Sequence, residues 1–111
     1  MIGQNGDEST RPGAPDEPGG VCLRLYLAGA TPNSRRAKVN LEAALLEFAG
    51  RRAFEVEHID VLVESRRAAA DSVIVTPTLV AFSKKSRLVI IGDLSDSGKL
   101  RDFLKAAATF S

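Results

Sequence analysis

The sequence predicts an α/β fold with the element order βαβαββα and a four-stranded mixed sheet flanked by helices. Two apolar segments, "VCLRLYLAG" and "AFEVEHIDVL", are each followed by a helical pattern, as in βα units. Two further apolar runs, "TLVAF" and "LVII", are separated only by the polar segment "SKKSR", which is typical of a hairpin. The final segment, "SDSGKLRDFLKAAATF", has the apolar spacing of a third helix.

The first βα unit begins with a strand rich in Val, Leu and Tyr, which predicts a largely buried position. A helix is expected from Pro32 to about Phe48, with Thr31 as its N-cap and Ser34 satisfying a free N–H group. Gly50 is expected to end this helix. Its core positions recur at helical spacing: Ala37, Leu41, Ala44, Leu45 and Phe48.

The remaining elements follow from the same kinds of pattern. "ESRRAAADSVIV" begins as a short Ala-rich helix and becomes apolar before Pro77. After the hairpin, a turn is expected at Gly92-Asp93, and either Ser95 or Asp96 is expected to cap the last helix. That helix places four apolar residues at core spacing: Leu100, Phe103, Leu104 and Ala107.

This order of elements is that of a thioredoxin-like domain. A strand leads into a polar turn at a helix N-terminus, and a distant Thr76–Pro77 pair precedes another strand. Such domains commonly hold this proline in cis, so we predict a cis Thr76–Pro77 bond. Redox members carry Cys-x-x-Cys at the turn, whereas this chain has "TPNS". Its single cysteine, Cys22, is expected to be a small buried hydrophobe, which argues against thiol redox chemistry.

Composition divides the chain into a tail and one domain. Residues 1–20 are dense in Gly, Pro, Asp and Glu, which predicts a disordered tail, and residues 21–111 are expected to form the domain. The tail lacks the pattern of a signal peptide, and no segment has the apolar length of a membrane span. The formal net charge is +1, too low to indicate nucleic-acid binding, and one cysteine fits a reducing compartment. A cytoplasmic protein that binds neither nucleic acid nor membrane is expected.

The sequence predicts no catalytic residue, metal site or cofactor. "GDLSDSGKL" fails as a phosphate-binding loop, because its glycine spacing is wrong and Leu100 replaces the required hydroxyl residue. His58 is the only histidine and is expected to be a partly buried strand residue. Strand alternation places Glu55 and Glu57 on one face and Asp60 on the other, so no acid–base pair is indicated.

Four segments together resemble the KaiB family of circadian-clock proteins: "LRLYLAGATPNSRRA", "HIDVL", "VTPTL" and "IIGDLSD". The resemblance runs from about Leu23 to Leu104. It implies a non-enzymatic adaptor that docks on the N-terminal ATPase ring of hexameric KaiC and, in cyanobacteria, then captures KaiA. In this family an inactive tetramer refolds its C-terminal half into a thioredoxin-like monomer. The same domain type is also the N-terminal sensor of a clock-associated histidine kinase, where it is constitutively thioredoxin-like.

Departures from the family pattern favour the thioredoxin-like state. The loop after "TPTL" lacks the proline cluster of cyanobacterial members. Phe103 replaces a glycine and Lys105 replaces an aspartate, and both changes favour a helix. Against this, Gly98 replaces a glutamate and so removes a capping-box partner for Ser95.

The resemblance also suggests which residues bind partners. Arg36 matches a basic family residue, but Glu57 reverses the charge of a position used toward KaiA, which argues against a KaiA-type partner. A KaiC-like ATPase is the expected partner. The partner-binding candidates are Arg36, Glu57, Asp60, Arg66 and Arg67. The residues expected to determine the fold are Thr31, Pro32, Ser34, Pro77, Gly92, Asp93, Phe103 and Lys105.

Two alternative functions stay open at this point, together with the oligomeric state. One is a degenerate thioredoxin-like redox protein that uses Cys22. The other is a stand-alone sensor-type domain that binds KaiC without changing fold. A homo-oligomer is compatible with either function. The sequence does not distinguish among a circadian oscillator, a simpler timer and a stress response.

Overall fold

The computed structural model describes residues 21–48 and 54–110. The predicted order βαβαββα is confirmed. The elements are β1 (Val21–Leu27), α1 (Pro32–Glu47), β2 (Phe54–Asp60), α2 (Ser65–Ala70), β3 (Thr78–Phe82), β4 (Arg87–Ile91) and α3 (Ser97–Ala108). The predicted tail and the predicted helix end at Gly50 lie outside the described residues. Within the described ranges, no helix has the length and apolar character needed to cross a membrane.

The sheet has the strand order β2-β1-β3-β4 and is mixed, as predicted. β1 pairs in parallel with β2, whereas β3 is antiparallel to both β1 and β4. Because side chains alternate along a strand, β1 serves both layers of the fold. Its residues Val21, Leu23, Leu25 and Leu27 belong to the main core with α1 and α3. Tyr26 faces the opposite layer, where it packs with Ala68 of α2.

α1 begins and packs as the sequence predicts. The Thr31 side chain accepts a hydrogen bond from the backbone N–H of Ser34, and Pro32 is the first helical residue. Ala37 and Leu41 are buried, and the other three predicted core positions are partly buried against the same core. Beyond the last turn, the Phe48 ring lies 5.6 Å from the Phe54 ring, which links the end of α1 to the start of β2.

The structure selects Asp96 rather than Ser95 as the cap of α3. The Asp96 side chain accepts a hydrogen bond of 3.0 Å from the Lys99 backbone N–H. Ser95 instead donates its backbone N–H to the Asp93 carboxylate at 3.0 Å. The capping-box argument that paired Ser95 with position 98 was therefore wrong, because the relevant third helical residue is Lys99. Phe103 is buried in the main core, as expected from its apolar spacing.

Three other expectations met different outcomes. The Thr76–Pro77 peptide bond is cis, so that prediction is confirmed. Cys22 is only half-buried, because it lies on the sheet face that the short α2 leaves partly uncovered. His58 is exposed rather than partly buried, because β2 is an edge strand. β2 also ends at Asp60, two residues before the apolar run does, because Val61 begins a turn.

Candidate partner-binding surface

Four exposed apolar side chains lie in two loops next to one end of the sheet, where β1 and β2 end and β3 begins. We call this surface the loop face and define it as residues 28–31, 61–64 and 74–77. Its exposed apolar members are Leu62 (74% exposed), Val63 (77%), Ile74 (92%) and Val75 (47%). Groups of exposed apolar side chains are typical of interaction sites, whereas single scattered ones are normal on any protein surface. The loop face is therefore the candidate surface for a protein partner.

The Asp60 carboxylate holds two loops of this surface together. Its Oδ1 accepts hydrogen bonds from the backbone N–H groups of Gly29 at 3.1 Å and Leu62 at 2.9 Å. Gly29 has φ +59°, a conformation that favours glycine, and a Cβ there would lie 3.3 Å from the Leu62 side chain. Asp60, predicted as a partner-binding residue, thus positions the loop face from within.

The N-terminus of α1 carries hydroxyl groups where redox relatives of this fold carry thiols. Ser34 is 1% exposed, and its Oγ accepts a hydrogen bond of 3.0 Å from the backbone N–H of Ala28. The Thr31 hydroxyl caps the helix, as described above. Both hydroxyl groups therefore fix the junction between β1 and α1. This arrangement stabilises a surface and offers no group that can exchange electrons.

Arg36 lies on the α1 side of the sheet, where it joins α1 to the turn before α3. Its Nε lies 3.2 Å from the Asp93 carboxylate, and its guanidinium also contacts the Asn33 side chain. The Asn40 side chain donates to the Asp93 carbonyl at 2.9 Å. Hydrogen bonds from Ser95, followed by the one from Arg36, hold the pKa of Asp93 below its ordinary value. Arg36 is thus already committed to an ion pair, although more than half of its side chain is exposed.

On the opposite face of the sheet, five side chains form a connected polar network: Arg24, Tyr26, Glu57, Arg67 and Asp71. Arg67 binds Glu57 through two hydrogen bonds of 2.6 and 2.8 Å. Arg24 lies 3.1 Å from the Asp71 carboxylate and 3.7 Å from that of Glu57. The Tyr26 hydroxyl donates to Asp71 at 2.5 Å. The network therefore ties the α2 region to β1 and β2.

The network shifts the ionisation of its own members. Burial, reinforced by the hydrogen bond to Asp71, raises the pKa of Tyr26 to about 12. Burial alone would raise the pKa of Asp71, but the hydrogen bonds from Tyr26 and Arg24 outweigh it, so that pKa is lowered. The hydrogen bonds to Glu57 raise the pKa of Arg67. Tyr26 is thus held as a neutral donor and Asp71 as a charged acceptor.

The predicted partner-binding residues do not form one site. Glu57 and Arg67 are brought together in the polar network, whereas Asp60 lies under the loop face and Arg36 lies on the other side of the sheet. Arg66 is exposed on α2. Sequence reasoning missed Arg24, Tyr26 and Asp71. The only available signal was strand alternation, which places Arg24 and Tyr26 on the same face as Glu57.

The described residues provide no arrangement typical of a metal or redox centre. No group of three or more His, Cys, Asp or Glu side chains within residues 21–48 and 54–110 could hold a metal ion. The Cys22 sulfur lies 3.9 Å from a Glu55 carboxylate oxygen, in the first half of β1. It is therefore displaced along the sheet from the N-terminus of α1, where the reactive thiols of this fold are found.

Comparison with known structures supports the fold. The N-terminal domain of SasA from Synechococcus elongatus matches with a TM-score of 0.65 and 21% identity, covering 78% of this chain and 81% of that one. A thioredoxin from Malassezia sympodialis matches with a TM-score of 0.71 and 16% identity, covering 93% of this chain and 85% of that one. At these identities the similarity concerns the thioredoxin-like fold alone.

Comparison of sequences is more specific. The circadian clock oscillator protein KaiB of Synechococcus elongatus is 46% identical over 79 residues, which cover 70% of this chain and 76% of that protein. The protein of the same name from Prochlorococcus marinus strain MIT 9312 is 41% identical over 78 residues, covering 70% and 73%. The family model of the KaiB domain matches residues 24–106. The fold, the pattern of its loops and these similarities agree, and the chain belongs to the KaiB family.

Proposed function

We propose that this chain is a circadian-clock adaptor that binds a KaiC-type hexameric ATPase through the loop face and performs no catalysis itself. The observation that carries the proposal is the exposed apolar cluster of the loop face in a chain of the KaiB family. Its curated relatives are named as clock oscillator proteins. The expected location is the cytoplasm.

Apolar contact supplies the free energy of binding in this proposal. Burying a side chain such as Leu or Val is worth about 1.5–3 kcal/mol, so the four exposed members provide several anchor points. The loop that carries Leu62 and Val63 is joined to Gly29 by the Asp60 carboxylate before a partner arrives. Binding then orders few new groups, which lowers its entropic cost.

The loop face itself carries Glu64 and no basic residue, and the exposed Arg66 beside it offers one positive charge to a partner. Arg66 is exposed in the first turn of α2, close in sequence to Val63. The Arg67 guanidinium, in contrast, is occupied by Glu57. A KaiA-type partner that needs a basic group on β2 would meet Glu57 there, so the KaiC-type ATPase is the partner we propose.

The absence of catalysis is supported by the side chains at the N-terminus of α1. The Ser34 and Thr31 hydroxyl groups are used in hydrogen bonds that shape the backbone. A thiol–disulfide exchange assay on the wild type and on Cys22→Ala tests the redox alternative. We expect only the background rate from both proteins. Exchange that depends on Cys22 would contradict the adaptor proposal.

The decisive experiment measures complex formation with the purified KaiC-type ATPase encoded by the same genome. Size-exclusion chromatography is run with ATP, with ADP and without nucleotide. We expect a complex in at least one nucleotide state, and we expect Val63→Glu to abolish it. Leu46→Glu on α1 is the matched control, because Leu46 and Val63 are equally exposed at 77%.

The outcomes separate the proposed surface from other surfaces. Binding by the wild type and Leu46→Glu, but not by Val63→Glu, supports the loop face. Loss of binding in Leu46→Glu alone would place the contact on α1 and contradict our assignment. If no nucleotide state yields a complex with the wild type, the adaptor proposal itself is wrong.

A further inference from the structure

A second apolar surface lies between α1 and α3, on the side of the sheet away from α2. It is a groove of about 490 Å³ that runs between the two helices. Its apolar lining residues are Ala43, Ala44, Phe48, Leu94, Leu100 and Leu104. This groove is separate from the loop face and from the polar network, and the proposed contact with the ATPase does not use it.

The apolar surface continues from the groove onto the outer side of α1. Val39 is 63% exposed and Leu46 is 77% exposed, and Ala43 lies between them on the same side of the helix. Residues 39 and 46 are separated by about 10 Å along a helix, or two turns. Such an elongated surface, with a small alanine at its centre, fits the apolar side of another helix better than a compact small molecule.

The charged side chains along the groove indicate which charges a bound helix would carry. Arg101 and Lys105 are exposed, line the groove, and lie one turn apart on α3. Glu47 lies on the opposite rim, at the end of α1. Carboxylates one turn apart on a docked helix would therefore match Arg101 and Lys105, whereas a cationic residue there would be repelled.

We propose that the groove between α1 and α3 binds an amphipathic helix of a partner protein, with its apolar stripe over Ala43 and Ala44 and its carboxylates against Arg101 and Lys105. The adaptor then has two independent protein-binding surfaces. One is the loop face at the end of the sheet, and the other is the groove on the helical layer. Such a molecule can hold two different proteins at the same time.

Labelled synthetic peptides test this proposal by fluorescence anisotropy with the full chain. The probe is an amphipathic helix of about 18 residues with leucines at positions i, i+3, i+4 and i+7 and glutamates on one flank. A second peptide carries lysine in place of every glutamate, and a third is a scrambled version of the first. We expect the glutamate peptide to bind at least about tenfold more tightly than either control peptide.

Variants of the chain locate the contact. The double variant Arg101→Glu/Lys105→Glu is expected to weaken binding of the glutamate peptide about tenfold or more and to reduce its salt dependence. Ala43→Trp fills the groove from an exposed position and is expected to abolish binding. Lys99→Glu is the control for charge on α3 outside the groove lining; it reverses one positive charge, whereas the double variant reverses two. We expect less than about a twofold effect from it. Circular dichroism melting curves verify that each variant folds.

Several results would overturn the proposal. Equal binding of the glutamate and scrambled peptides would show that helical amphipathicity is irrelevant. An equal effect of Lys99→Glu and of the double variant would indicate non-specific attraction. Dodecanoate serves as a small apolar anion in the same assay. Binding of dodecanoate without binding of the peptide would identify a small-molecule site. A dimer that Ala43→Trp dissociates, without peptide binding, would identify a second copy of this chain as the occupant.

Discussion

Replacing Tyr26 with phenylalanine tests how much the polar network contributes to stability. The Tyr26 ring is fully buried, and its hydroxyl donates a 2.5 Å hydrogen bond to the Asp71 carboxylate. A hydrogen bond to a charged group contributes about 1.5–3 kcal/mol, and phenylalanine preserves the packing of the ring. We therefore expect Tyr26→Phe to lower the free energy of unfolding by that amount. In a domain of this size the melting temperature should fall by on the order of 10 °C.

Urea denaturation of Tyr26→Phe, Asp71→Ala and the double variant measures the interaction directly. The two single changes should be non-additive, with a coupling energy of about 1–3 kcal/mol. Thr109→Val is the control, because it removes a hydroxyl whose hydrogen bond to a helix carbonyl is exposed. Its effect should stay within about 0.5 kcal/mol. A Tyr26→Phe effect no larger than that of Thr109→Val would refute the role assigned to the network.

Three further predictions concern single residues. Tyr26 is the only tyrosine, so the ultraviolet absorbance of its phenolate should titrate near pH 12 in the folded protein and near pH 10 in urea. Because the pKa is higher in the folded protein, the stability linked to the neutral phenol is lost as pH rises through about 12. A folded midpoint near pH 10 would contradict the burial of Tyr26. Because the pKa of Asp71 is lowered by folding, its carboxylate stabilises the fold above about pH 4, and this stabilisation is lost as pH falls further. The difference in free energy of unfolding between wild type and Asp71→Asn should therefore shrink in acid. A difference independent of pH would contradict this prediction. Gly29→Ala should lower the free energy of unfolding by at least about 1 kcal/mol in urea denaturation, because alanine disfavours φ +59° and its Cβ would press on Leu62. Gly98→Ala in α3 should instead raise it by up to about 1 kcal/mol. Equal effects would be inconsistent with the φ of Gly29.

The elements that sequence reasoning predicted well are those whose signals lie within a few residues. Thr31 and Pro32 begin α1 because a cap and a first-turn proline act locally, and the Ala37 and Leu41 spacing specifies the buried side. The cap of α3 was ambiguous, because Ser95 and Asp96 are both good caps and only the path of the preceding turn selects one. Local chemistry therefore predicts where a helix begins when only one residue near that point can act as its N-cap.

The candidate surfaces depend on contacts that no local pattern encodes. Arg24 and Asp71 are 47 positions apart, and their ion pair exists because β1 and the end of α2 meet above the sheet. Leu62 and Ile74 look like core residues in the sequence, yet the turns around α2 leave them exposed. The family resemblance suggests a kind of partner, whereas the candidate surface depends on the tertiary arrangement of the loops.

The buried hydroxyl of Ser34 has an evolutionary consequence. Sulfur is larger than oxygen and accepts hydrogen bonds weakly, so a cysteine at position 34 would both crowd a closed site and release the Ala28 N–H from its partner. A change from Ser34 to cysteine, one of the two needed for a Cys-x-x-Cys pair at positions 31 and 34, would therefore destabilise the junction between β1 and α1. Packing at Ser34 thus selects against such a pair independently of any requirement for partner binding.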